Sequence, residues 1–231
     1  MWWQNFRDAF VLNFIKDDRW KYLADGLKAT LMITFWAVLI GVFLGFMVAI
    51  IRSTYQNTGK LKFLNALSVL YLTIIRGTPV LVQLMIIYYV IFASGNVDKS
   101  FVAILAFGIN SGAYQAEIFR AGINAIPKGQ FEAGRSLGFN YFQTMRNIIM
   151  PQAFKNILPA LGNEFIVLVK ETSVAGYIAL VDITKAGDII RSRTYSAFMP
   201  LIAVALIYLV IVMGLSYLIG ILERRLGKSA K

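Results

Sequence analysis

The chain of 231 residues contains no cysteine and no histidine. The first absence rules out disulfide frameworks and thiolate metal sites. The second removes the commonest general base and metal ligand, and together they exclude most catalytic constellations. No catalytic residue and no metal-ligand set is assigned. The phosphate-cradling loop G-x-x-x-x-G-K-[ST] is also missing, so this chain is not expected to carry nucleotide chemistry itself. Charge is scarce: 15% of residues are charged and 58% are hydrophobic, a balance outside that of soluble domains and typical of polytopic membrane proteins.

The charge that is present is mostly basic, with a formal net of +11. The bases are scattered between apolar runs and form no contiguous arm, so nucleic acid is not an expected partner and their meaning is topological. The opening MWWQNFRDAF lacks the basic stretch, apolar core and small-residue cleavage site of a removable signal. Residues 1–23 are read instead as an interfacial segment, with Trp2, Trp3, Phe6 and Phe10 at the bilayer surface.

A helix needs about 20 apolar residues to cross a hydrocarbon core of roughly 30 Å. Five windows qualify, at about 27–51, 61–92, 101–123, 152–170 and 198–222. The second is too long for one plain span and holds Arg76-Gly77-Thr78-Pro79 in its middle, so it reads as a broken helix with an interfacial first half. With the N-terminus outside, the inner loops collect Arg52, Lys60, Lys62, Arg120, Lys128, Arg135, Arg146, Lys155, Arg224, Arg225, Lys228 and Lys231 against Glu132 and Glu223. The outer segments mix both signs, as at Asp98, Glu171, Asp182 and Asp188, so N-out, C-in is the expected orientation. Gly41 with Gly45, and Gly108 with Gly112, each stand four apart on one helix face and are expected to serve close packing within the bundle.

Between the third and fourth windows, residues 127–151 break the apolar pattern. Pro127 suits a first helical position, residues 129–137 suffice for roughly two turns, and Gly138 supplies a left-handed stop. Asn140 can cap a second helix running to Ile149, ended by Pro151. Phe131, Ala133, Gly134 and Leu137 would leave a knob with little bulk at its middle, able to fit a groove on another protein. The alternative is an amphipathic loop resting on the bilayer.

The spacing Glu132-Ala133-Gly134, three residues, Gly138, nine residues, Ile148, one residue, Met150-Pro151 resembles the cytoplasmic loop signature of permease subunits from binding-protein-dependent ABC importers. Gly134 stands where that pattern has a second alanine, and Met150 where it has leucine. Further stretches resemble the polar amino acid branch of the family. They are Arg76 to Pro79 followed by Gln83, Gly112 to Arg120, Gly129 to Ala133, Gly162 to Ile166, and Lys170 to Ser173. The resemblance runs from about residue 24 to the C-terminus, which makes 24–231 the permease domain.

The resemblance implies an all-α integral membrane protein with the type I ABC importer permease fold, five transmembrane helices and a short cytoplasmic coupling helix. It implies a multi-pass subunit in the cell membrane of a prokaryote, not itself an enzyme, with ATP and magnesium bound by a partner. The partners implied are a second permease subunit, identical or different, two ATP-binding cassette ATPases, and an extracellular solute-binding protein. Glu132, Ala133, Gly134, Leu137 and Gly138 are the expected ATPase contact. A secondary transporter, a channel and a membrane-embedded enzyme are the rival classes; visible inverted halves, a filter motif and His or Cys chemistry are respectively missing.

Gly77, Thr78, Glu117, Asn163 and Glu164 are the expected substrate contacts. Gly77-Thr78-Pro79 would start a half-helix whose free N–H groups favour a carboxylate, or else form a simple kink. Carboxylates at membrane depth are expensive and are functional or paired. Glu117 precedes Arg120 by three residues, so a pair with Arg120 or Arg76 stands beside a substrate role. Glu164 has no base within a turn of its own helix. It would meet a cationic amino acid such as arginine, lysine or histidine, or bond to a neighbouring helix or Arg76; glutamine is the alternative substrate.

Overall fold

The computed structural model of the chain describes residues 2–228; Lys231, counted above among the bases, lies outside the described residues, as do the side chains of Trp2 and Lys228. The helices are α1 (Trp2–Phe10), α2 (Trp20–Thr58), α3 (Lys62–Gly77), α4 (Val80–Ile86, extended by a wide turn over Ile87–Ile91) and α5 (Lys99–Asn124). They continue with α6 (Lys128–Ser136), α7 (Tyr141–Thr144), α8 (Met150–Glu171), α9 (Ile183–Thr194) and α10 (Phe198–Lys228). No strand occurs among the described residues.

Each of the five apolar windows falls inside a helix or, for the second, inside the α3–α4 pair. Two helices, Trp20–Thr58 and Phe198–Leu226, are long and apolar enough to cross a membrane alone, and the α3–α4 pair, bent by 109° at its break, makes a third if taken as one span. α5 and α8 are long enough but diluted by polar residues. In α5 these residues are shielded by protein: Asn110, Ser111 and Gln115 are buried along with Phe107, Ala113 and Phe119. Such a helix can be polar because its neighbours, not lipid, surround it.

α5 is the axis of the bundle. A Cβ on Gly41 would stand 2.6 Å from the Gln115 amide nitrogen, and one on Gly45 would stand 2.8 Å from the backbone nitrogen of Ala116. A Cβ on Gly108 would meet Ile40, and one on Gly112 would meet Leu44 and the Tyr71 hydroxyl. The two glycine pairs therefore belong to one seam between α2 and α5, which run in the same direction. α8 runs the opposite way: its Ile157 packs at Gly122 of α5, and its Glu164 bonds to Ser111.

Residues 1–23 begin with a helix that exposes Trp3, Phe6 and Phe10. The segment then turns inward, where Phe14 joins Leu23, Ile183 and Ile190 in a buried cluster with Val204 of α10. Asp182 anchors this end of the molecule. Its buried carboxylate caps α9 by accepting from the backbone N–H groups of Thr184 and Lys185 at 2.9 and 3.0 Å, and the Ile183 N–H donates to Thr30 of α2. Burial pushes the Asp182 carboxyl above the usual carboxylate range.

Pro151 does not end the helix that Asn140 begins. Helical backbone continues from Tyr141 through Glu171, and Pro151 sits in the first turn of α8. The turn before it is widened, with the Met150 N–H donating to the carbonyl of Met145 five residues back. That wide turn makes room for the ring and removes the need for the missing donor.

Two outcomes follow. Gly45→Val should destabilise the detergent-solubilised protein by about 1–3 kcal/mol, because the clash is with backbone. Gly214→Ala, where a Cβ meets nothing within 4 Å, is the control, and equal melting shifts for both would refute the seam. Asp182→Ala should cost about 1 kcal/mol of cap energy, whereas Asp182→Asn retains the acceptor. Because burial raises the native carboxyl above its unfolded value, wild-type stability falls as pH rises above the ordinary carboxylate range, so the Asn variant should gain on wild type in melting scans taken upward from that range.

Candidate functional site

Residues 127–151 fold into a helical hairpin. α6 starts after Pro127, which occupies the position just before the first helical residue, one earlier in role than its sequence suggests. It ends in a Schellman motif: Phe139 N–H donates to Gly134 O, and Gly138 N–H to Arg135 O, with Gly138 at φ +78°. Asn140 then caps α7 with a reciprocal capping box, its side chain accepting from Gln143 N–H while Gln143 Oε1 accepts from Asn140 N–H.

Glu132, Ala133 and Leu137 are exposed, Leu137 at 70%. Gly134 is not part of the exposed knob. It is buried against Thr144, where a Cβ would stand 2.7 Å from the hydroxyl, so its smallness lets α6 lie on α7. Phe131 likewise turns inward to a cluster with Phe119, Ile149 and Ile157. A cavity of about 560 Å³ separates α6 from the ends of α2 and α5, with Ser53, Asn57, Arg120, Lys128 and Tyr141 on its walls.

At the α3–α4 break, Gly77 and Thr78 are exposed, and space beside Gly77 is open. Pro79 precedes the first residue of α4 rather than occupying it. Gln83 seals the other side of the break: its amide donates to Ile75 O at 2.8 Å, Thr78 O at 3.0 Å and Thr78 Oγ1 at 2.8 Å, and its oxygen accepts from Asn110 of α5. The carbonyls of Ile75 and Thr78 at the break are thus paired inside the protein. Val80, Leu81 and Val82 donate no backbone hydrogen bond among the described residues.

Glu117 takes both expected partners and one more. Arg120 donates to its Oε2 at 2.9 and 2.5 Å, while Arg76 and Arg52 approach its Oε1 at 3.6 and 3.7 Å. Arg52 carried no signal for this role in the sequence beyond lying at the end of its span. Glu164 is half-buried and accepts a hydrogen bond from Ser111 at 2.9 Å, and Ser111 accepts in turn from Gln115. Arg76 is engaged with Glu117, so the pairing of Glu164 with Arg76 is not formed. Asn163 is exposed beside it. Among the described residues no group of three or more acidic side chains could hold a metal ion.

The chain is similar to known proteins over most of its length. Residues 37–228 match the family model described as the binding-protein-dependent transport system inner membrane component. A putative glutamine transport system permease protein GlnP of Rickettsia bellii is 38% identical over 207 residues, covering 89% of this chain and 93% of its own. The arginine transport system permease protein ArtQ of Bacillus subtilis is 38% identical over 208 residues, covering 89% and 92%. A crystal structure of an amino acid ABC transporter with histidines has 43% identity and a TM-score of 0.83, covering 92% of this chain and 98% of that one. With this match, and with the helical hairpin and broken helix of a type I ABC permease fold in place, the chain belongs to the family of binding-protein-dependent transport system inner membrane components.

Proposed function

We propose that this chain is the permease subunit of an ABC importer for polar amino acids, and that basic amino acids, arginine, lysine or histidine, are its substrates. The carrying observation is Glu164: a half-buried carboxylate with one hydroxyl donor and no basic side chain within ion-pair distance among the described residues. A half-buried carboxylate left without a cation favours a cationic guest. A relative named for arginine supports this reading, and one named for glutamine supports the neutral alternative.

In this reading five spans, α2, the α3–α4 pair, α5, α8 and α10, cross a prokaryotic cell membrane N-out, C-in. Residues 24–231 form the permease unit, with 1–23 an interfacial segment supported by the exposed Trp3, Phe6 and Phe10. Gly77, Thr78, Glu117, Asn163 and Glu164 border the substrate path, Glu117 acting there through its arginines. A second permease subunit, identical or different, completes the path, and an external binding protein delivers the amino acid. Two ATPases bind ATP and magnesium. Glu132, Ala133 and Leu137 seat in an ATPase groove, while Gly134 and Gly138 shape the hairpin that presents them.

Two experiments address these assignments. Gly138→Val forces a β-branched residue into the left-handed region at a cost of about 1–2 kcal/mol, without any clash, since a Cβ there meets nothing within 4 Å. Copurification of the ATPase should fall, with the melting temperature of the membrane part little changed; undiminished copurification and substrate-stimulated hydrolysis would remove the hairpin from the contact. Glu164→Gln in reconstituted vesicles should abolish lysine and arginine uptake while sparing neutral amino acids. Equal loss for all, or none, would overturn the basic-substrate assignment.

A further inference from the structure

Where α7 runs into α8, an apolar groove opens beside the end of α2. Phe46 of α2 and Phe142, Met145, Met150 and Phe154 of the continuous helical stretch line about 420 Å³ of space, and Arg146 shares its wall. Phe142 is 81% exposed, although its neighbours Asn140, Gln143 and Asn147 are polar and exposed. Phe142, Arg146, Met150 and Phe154 stand four apart. Residues four apart in an α-helix drift by about 40° around the axis, and the widened turn over Met145–Ile149 winds less per residue, offsetting part of that drift. The four residues therefore run as one stripe, apolar except for a single arginine.

The place of the groove in the bundle says what fills it. Phe46 lies in the apolar window of α2 and Phe154 in that of α8, each near the end of its window at which the hairpin begins. Exposed apolar side chains continue from the groove toward the middle of both spans, as at Phe43 and Leu158. On the other side, Arg146 is exposed and has neither an acidic partner nor a hydrogen bond among the described residues. It stands about 6 Å of helix rise from Met150, close to the depth of one headgroup layer. Leu137, the exposed apolar residue after α6, is not on the walls, so the groove is separate from the proposed ATPase contact. A cleft continuous with lipid-level apolar surface, and edged by one unpaired guanidinium, is complementary to a phospholipid of net negative charge.

We propose that this groove seats one anionic phospholipid, its phosphate paired with Arg146 and an acyl chain lying against Phe46, Phe142 and Phe154. The lipid ties α7 to the ends of α2 and α8 and holds the second half of the hairpin at the membrane surface. It does not depend on which amino acid is carried.

The test places the full chain, with its copurifying subunits, in nanodiscs of equal phosphatidylglycerol and phosphatidylcholine, one of the two bearing a photoreactive acyl chain. Labelled peptides are located by mass spectrometry. In wild type, labelling within 142–154 should favour phosphatidylglycerol by roughly fivefold, the effect of one base at an anionic lipid surface. Arg146→Gln should bring that ratio close to one and Arg146→Lys should keep most of it, with melting temperatures unchanged because the side chain is exposed and unpaired. Phe142→Ala should lower labelling by both lipids. Equal wild-type labelling overturns the proposal, leaving an ordinary lipid-facing surface. Labelling by neither lipid also overturns it and puts a protein neighbour, such as the second permease subunit, over the groove. A preference that survives Arg146→Gln, or labelling that Phe142→Ala leaves unchanged, overturns it as well, and none of these outcomes bears on amino acid import.

Discussion

Where α2 meets α5, the backbones approach so closely that Gln115 and Ala116 occupy the space a side chain would need at Gly41 and Gly45. The polar groups of the bundle are placed by this contact. With Gln115 held against α2, its amide is directed to Ser111, and Ser111 is left to donate to Glu164 across the α5–α8 contact. One turn away on α5, Asn110 holds the oxygen of Gln83, whose amide closes the end of α3. A change in the α2–α5 separation would therefore disturb the broken helix and the Ser111–Glu164 bond together, since packed interiors repack in steps rather than deforming smoothly.

The second organising fact is that several polar backbone groups that helix breaks would leave open are satisfied by protein. The bend of 109° between α3 and α4 exposes carbonyls that Gln83 covers. The widened turn before Pro151 absorbs a missing donor. Asp182 closes the start of α9 against Thr30 and the α2 backbone at Gly26. Among the described residues, the buried side-chain atoms left without a partner include Arg52 Nε and the oxygens of Asn110 and Gln115.

Arg120 belongs to two neighbourhoods. Its guanidinium grips Glu117, and its side chain also borders the cavity beneath which α6 hangs. The hairpin is held to the bundle by Phe131 and by the stacking of Gly134 on Thr144, with Tyr141 reaching Ser53 and Asn57 at the end of α2. Movement of α6 would be passed to α2 and α5 through these contacts, and so toward the arginine cluster.

Much of this protein was legible in the chain. Apolar length marked the five helical windows, and the hairpin followed from Gly138 and Asn140, because a left-handed stop and a side-chain cap are properties of single residues and their immediate neighbours. Local rules failed at Pro151 and misplaced Gly134, since the wide turn and the Thr144 contact arise from how two helices lie together. α9 and its Asp182 cap lay outside the windows, being short and stabilised by α2 and α10. The convergence of Arg52, Arg76 and Arg120 on Glu117 joins residues up to 68 positions apart. Composition and spacing determined that this is a helical membrane chain interrupted by a polar helical hairpin; only tertiary packing decided which charges meet, because helix periodicity sets the face on which a side chain stands but not the neighbour that the face receives.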